Sequence, residues 1–181
     1  ANHAVESFPF GNECIKNYIR KPDVMQKEIG GENMYFNLWN ADNNTNGKNF
    51  NDNPVTKTVY DPCPVGFTLP PSNAFTGFTT TGENVTNTVD KYNGEWNNSI
   101  PGWNFYCGPN KTEGTIFFPL TGERISSGGY LSAVGLLGHT WSATSTESTY
   151  AHNLTLYTNY WVWPLDQFTK SAGHGVRPCQ E

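Results

Sequence analysis

Residues able to do chemistry are few in this chain, and they gather in its second half. His139, His152 and His174 share that half with Cys107, Cys179 and several serines. No GxSxG elbow, HExxH pair or glycine-rich phosphate loop accompanies them. Asp166, Glu123 and Glu147 have no mutual spacing that singles out an acid and a base. The residues therefore point to a protein that binds rather than one that catalyses.

One stretch does carry metal-ligand spacing. Asp42, Asn44 and Asn46, followed by Gly47, match the front half of an EF-hand loop. The twelfth position should be a bidentate Glu and is Asn53. With one carboxylate, calcium would be held weakly, and no other cofactor is suggested. An Asx-turn loop bonded to its own backbone is the preferred reading.

The segment HNLTLYTNYWVWP, residues 152 to 164, is the densest aromatic run. Strand side chains alternate between faces. Leu154, Leu156, Val162 and Pro164 share one parity; Thr155, Tyr157, Trp161 and Trp163 share the other. With the aliphatic side on the core, the Tyr and Trp side faces water or a partner. Such residues suit recognition, offering large rigid area at small entropic cost. The competing reading is a strand covered on both faces.

The elements that must position these residues are short. Of 181 residues, 15% are charged and 14% aromatic, with abundant Gly and Asn. This favours strands and ordered loops over long helices. KPDVMQKEIGG (21 to 31) is the best helix candidate, with Pro22 near its start and Gly30-Gly31 at its end. KTVYDPCPVGFTLPP (57 to 71) reads as a strand broken by prolines. SNAFTGF (72 to 78) reads as a short helix capped by Ser72 that buries Phe75 and Phe78. WNFYCGP, TIFFPLTGER, GYLSAVGLLGHTWSAT, the aromatic run and HGVRPCQE read as strands between turns. One domain spanning 1 to 181 is expected.

The net charge of −5 and the lack of a basic run set nucleic acid aside. No apolar run approaches the roughly 20 residues of a membrane span. No signal peptide is evident, and the chain reads as a mature or trimmed piece of something longer. Four widely spaced cysteines with no zinc-type clustering lean toward an exported protein with one or two disulfides.

Several phrases together carry a resemblance: NLWNADN, NDNPVTKTVYDPCPVGFTLPPSNAFTGFTTTG, GWNFYCGPNKTEGTIFFPLTGER, TWSAT and GVRPCQE. In this order they resemble the C-terminal domain of exported Bacteroidota surface and fimbrial-tip-like proteins, the major paralogous domain family first noted in Fibrobacter. The likeness runs from about residue 33 to 181, residues 1 to 32 being a less clear N-terminal extension. It implies an α+β, C-type lectin-like fold with small antiparallel sheets, two short helices and long loops. Trp141, Ser142, Gly122, Arg124 and Arg177 would be scaffold. GPN at 108 to 110 and WNN at 96 to 98 lack the acidic residues of calcium-dependent sugar binding.

A narrower likeness is to the variable proteins of diversity-generating retroelements, which display altered side chains on a fixed lectin-like scaffold. The framework of that pattern is kept at Trp141, Ser142, Ala151, Leu154, Leu156, Val162, Pro164, Gly173, Val176, Arg177 and Pro178. The chain departs from it at His139, Thr140, His152, Asn153, Thr155, Tyr157, Trp161, Trp163, Asp166 and His174, which the resemblance makes the ligand-binding set. The implied function is non-catalytic recognition of a protein or glycan ligand on another cell or surface, at a cell or virion surface. The alternatives are a structural fimbrial or surface subunit and, third, an enzyme related to formylglycine-generating enzymes. Because such a fold joins its ends, the resemblance pairs Cys14 with Cys179 and Cys63 with Cys107; Cys63 with Cys179 is the competing pairing.

Overall fold

Alternating apolar residues in the second half build a three-stranded antiparallel sheet. Its strands are β9 (Leu137–Ser145), β10 (Tyr150–Tyr157) and β11 (Val162–Thr169), with β10 in the middle. The computed structural model describes residues 5–8, 16–17, 19–21, 24–28, 39–42, 50–85, 89–108, 110–146, 149–158 and 161–181. Leu154, Leu156 and Val162 are at most 1% exposed. They pack on Trp103, Phe105 and Phe118 of a second antiparallel sheet. That sheet contains β4 (Gly94–Asn97), β5 (Gly102–Tyr106) and β6 (Thr115–Pro119). Phe78 stacks on Phe105 at 4.0 Å and 6°, and Phe118 meets Phe105 edge-on at 5.9 Å. These offset and T-shaped contacts add to the burial that holds the sheets together.

Smaller pieces complete the fold. β1 (Val5–Phe8) pairs in parallel with β2 (Met25–Glu28). β3 (Phe67–Thr68) pairs with β12 (Cys179–Gln180), and β7 (Glu123–Arg124) with β8 (Leu131–Ser132). Gly122 precedes β7 with φ +73°, and a Cβ there would lie 2.3 Å from the Ser132 carbonyl oxygen. Only glycine fits both demands. A second cluster of Cys63, Leu69, Trp141, Ala143 and Ala151 lies on the Trp141 end of the central sheet.

The expected α+β, C-type lectin-like architecture with two short helices is corrected by this arrangement. The structure is mostly β, in several small and chiefly antiparallel sheets. Within the helix expected over 21 to 31, Met25–Glu28 form β2, and residues 29–31 lie outside the described residues. Helical residues occur just upstream instead, at 16, 17, 19 and 20, with the Lys21 N–H bonded to the Asn17 carbonyl at 2.8 Å. Pro22 and Asp23, expected at the start of the helix over 21 to 31, also lie outside the described residues. SNAFTGF forms a 3-10 turn at Ser72–Phe78 whose cap residue is Pro71, without a side-chain cap bond. The Ser72 hydroxyl is engaged elsewhere, accepting from the Asn51 N–H at 2.8 Å. Among the described residues no helix is long and apolar enough to cross a membrane.

Cys63, Cys107 and Cys179 are free thiols, so the expected Cys63–Cys107 bond is not formed and Cys179 is bonded neither to Cys14 nor to Cys63. Cys14 itself lies outside the described residues. Burial, and then a hydrogen bond to Asp61, push the Cys63 thiol up to about 12. It is a packed side chain rather than a nucleophile.

Edge strand β11 contains Pro164, which cannot donate to a ladder. The register with β10 shifts there, from Thr155↔Trp163 to Asn153↔Asp166. The Asn84 side chain completes the irregular backbone, donating to the Leu165 carbonyl at 2.8 Å and accepting from the Leu165 N–H at 2.7 Å. Asn84→Ala is expected to cost about 1 kcal/mol, because both bonds lie in partly solvated surroundings. Urea unfolding of the variant measures it.

Candidate functional site

The parity of the aromatic run survives in part. On the aliphatic side Leu154, Leu156, Val162 and Pro164 are all buried. On the other side Tyr157, Trp161 and Trp163 are half-buried and touch one another. The Trp161 and Trp163 rings stack at 5.6 Å and 18°; Tyr157 meets them edge-on at 5.5 and 5.7 Å. The Trp163 indole N–H is buried without a hydrogen-bond partner among the described residues. The bulge at Pro164 and Leu165 turns Asp166 to the same side as Trp163, against strict alternation. The Thr155 hydroxyl lies near Asp166 there and favours its ionised form. Burial raises the Asp166 pKa, partly offset by the Thr155 hydroxyl and by a hydrogen bond from the Gln167 N–H at 2.9 Å. The Tyr157 hydroxyl is pushed up by burial, then by the charges of Asp166 and Glu123, so the two carboxyls lie within its electrostatic reach.

Toward β9 the same face turns inward. Thr155 is fully buried, Asn153 is 1% exposed and His139 is 3% exposed. The Thr155 oxygen lies 2.8 Å from His139 Nδ1 and 2.8 Å from Asn153 Nδ2. Asn153 Nδ2 also lies 3.0 Å from His139 Nδ1, so the three side chains close one polar contact. These neighbours hold the Nδ1 edge of His139 and leave its Nε2 buried without a hydrogen-bond partner among the described residues. His174 slots between two β9 side chains, stacking on His139 at 4.1 Å and on Trp141 at 4.3 Å. Its side chain is fully buried, with Nε2 3.6 Å from Glu123 Oε2. Burial pushes His139 down to about 4, and burial plus the His139 charge pushes His174 down to about 2. Burial also raises the Glu123 carboxyl. Both imidazoles are thus neutral at ordinary pH.

No family model, curated protein or solved structure matches the chain. What the site can do must therefore be read from its own geometry.

The ten positions of the expected ligand-binding set divide three ways. Tyr157, Trp161, Trp163 and Asp166 gather on one half-open face. His139, Asn153, Thr155 and His174 form the buried polar cluster behind it. His152 goes elsewhere, 2% exposed beneath Phe50 at 4.2 Å, with burial lowering its pKa. Thr140 lines an open cleft of about 630 Å³ with Phe67, Phe118, Val176 and Arg177. The Arg177 guanidinium is already committed, lying 4.6 Å over the Phe118 ring and donating to the Phe117 carbonyl at 2.9 Å.

Of the expected calcium ligands, Asn44 and Asn46 lie outside the described residues. Asp42 accepts a hydrogen bond from the Thr56 hydroxyl, and its N–H bonds the Asn40 side chain at 3.2 Å. Tyr160 also lies outside the described residues. Glu123 is the site residue that sequence reasoning passed over. Only the pairing of distant segments brings it beside His139 and His174, so no local motif reveals it.

Proposed function

We propose that this protein is a non-catalytic binding domain that engages a ligand through Tyr157, Trp161 and Trp163, with Asp166 at the edge of the contact. The observation that carries this reading is the half-buried, mutually packed aromatic trio beside an edge strand. Its rings are held rigid by each other, so little side-chain entropy is lost on binding. The Asp166 carboxylate offers hydrogen-bond acceptors for a ligand's N–H or O–H groups.

Among the two ligand classes, a protein surface is better supported than a glycan. Leu136, 60% exposed, accepts a backbone bond from Thr158 at 3.1 Å and so extends the apolar area beside Tyr157. Tyr130, Leu131 and Val134 are also exposed, at 59 to 64%. Four exposed apolar side chains within residues 130 to 136 mark this stretch as one that a protein partner could cover. The same run favours a second reading, a structural subunit that joins copies of itself. The setting outside the cell rests on the sequence resemblance alone.

Screening the chain against glycan and cell-surface protein arrays separates the classes. Trp161→Ala is expected to weaken binding to the selected ligand by about tenfold or more, as truncation of an aromatic anchor does. Its melting temperature should stay close to that of the parent. Unchanged affinity, or a collapse of stability, would show that the indole belongs to the packing. Binding to the chain itself would favour the subunit reading.

A further inference from the structure

We propose that Glu123, His139 and His174 bind one divalent transition-metal ion of the zinc class. The ion would tie β7, β9 and the C-terminal segment together from inside. One donor atom from each of the three residues lies within 4.8 Å of the other two. That spacing is wider than the donor separation around a bound ion and needs only side-chain adjustment to close, since the metal–ligand bonds are about 2.0–2.2 Å.

Backbone bridges bring the three donors together. Gly173 and Arg124 exchange two N–H to carbonyl bonds, each 2.8 Å. On the other side of His174, the Gly175 N–H bonds the His139 carbonyl at 3.1 Å and its carbonyl accepts from the Trp141 N–H at 3.0 Å. A Cβ on residue 173 would fall 2.8 Å from Arg124 Cβ, so this approach needs glycine. His174 is therefore pinned between the residue after Glu123 and the strand that carries His139.

The side chains are poised as ligands rather than used in packing alone. Both His174 ring nitrogens and His139 Nε2 are buried without a hydrogen-bond partner among the described residues. Buried polar atoms in native proteins are nearly always paired, so unpaired nitrogens on two adjacent buried rings call for an explanation. Thr155 Oγ1 at 2.8 Å and Asn153 Nδ2 at 3.0 Å hold the Nδ1 edge of His139, which leaves Nε2 as the ring atom offered to an ion. A second-layer hydrogen bond of this kind accompanies most metal-bound histidines. Two imidazoles and one carboxylate suit zinc, cobalt or nickel over calcium or magnesium, which take all-oxygen shells. A fourth position is left for water.

Coordination has a cost here. The His139 and His174 rings lie 10° from parallel, so their lone pairs run side by side. Converging on an ion turns one ring and loosens the stack against Trp141. The affinity should be moderate for that reason, and Trp141 fluorescence should respond.

The test is metal titration of the chelator-treated full chain. One Zn2+ per chain is expected by calorimetry, with a rise in melting temperature. Co2+ should give visible d–d bands without thiolate charge transfer. Glu123→Gln is expected to weaken binding by more than about 100-fold, beyond the roughly 10–100-fold that loss of a second-layer partner costs. Its metal-free melting temperature should not fall, since a half-buried charge is removed. His174→Ala should abolish binding, and Asp42→Ala should leave it unchanged. Failure of the parent to bind either Zn2+ or Co2+ would overturn the site. So would undiminished binding by Glu123→Gln, loss of binding in Asp42→Ala, or a thiolate spectrum. If His174→Ala does not fold, Glu123→Gln still decides.

Discussion

Asp61→Ala is expected to lower the free energy of unfolding by about 3–5 kcal/mol, the range for removing one partner of a buried charged network. The Asp61 side chain is fully buried. Its Oδ1 accepts from the Cys63 N–H at 2.7 Å; its Oδ2 accepts from the Thr68 hydroxyl at 3.1 Å and the Leu69 N–H at 3.2 Å. Lys57 stands 4.0 Å away and donates to the carbonyls of Cys63, Pro64 and Phe67 at 2.6 to 2.8 Å. Together the two charges replace the ladder that Pro62, Pro64, Pro70 and Pro71 cannot form. Losing the carboxylate strands two N–H groups and leaves the Lys57 ammonium without its counter-charge. The damage spreads, because β3 holds β12, and the Pro70 carbonyl accepts from the Ala143 N–H at 2.8 Å on the central sheet. Urea unfolding monitored by tryptophan fluorescence measures the loss. Asp61→Asn, which keeps one acceptor oxygen for Cys63, should lose less. Equal unfolding midpoints for Asp61→Ala and the parent would show that the prolines alone set this turn.

The Asp61 network marks where the sequence stops being legible. Period-two alternation is a local signal, and it places Leu154, Leu156 and Val162 on the core correctly. The strands of the second half can be read in the same way. A carboxylate that satisfies N–H groups two and eight residues away, with a lysine four residues before it, leaves no comparable trace in the sequence.

Fold class failed for a related reason. Met25–Glu28 looks helical by composition, yet it pairs with Val5–Phe8, and long-range pairing outweighs propensities of a few tenths of a kcal/mol per residue. The candidate site was half legible. Tyr157, Trp161 and Trp163 follow from parity. Asp166 joins them only through a bulge, and His139, Asn153 and Thr155 share their parity but are covered by the chain's own C-terminal segment. Alternation tells which face a residue takes; it does not tell what will cover that face.

That covering segment sets the second large effect. Freed of divalent metal, the protein should lose stability steadily as pH falls from about 6.5 toward 4. In the unfolded chain a histidine titrates near 6.5. In the folded chain burial holds His139 at about 4, lowers His152, and, with the His139 charge, holds His174 lower still. Above 6.5 both states carry neutral imidazoles and pH has no effect through them. Below it the unfolded state takes up protons that the folded state refuses, so unfolding is favoured more with each step of acid. For His139 alone the full loss is about 3 kcal/mol once pH reaches its folded value, at 1.36 kcal/mol per pH unit. Glu123 and Asp166 work in the opposite sense. Their raised pKa values mean that the folded state gains protons early, which returns part of the loss. His174→Phe keeps a flat ring between Trp141 and His139 while removing one titrating group. Its unfolding midpoint in urea should fall less between pH 7 and pH 5 than that of the parent. A parent midpoint that does not move over this interval would mean that the imidazoles are protonated in the fold, and the stack between Trp141 and His139 would then have to admit a charge.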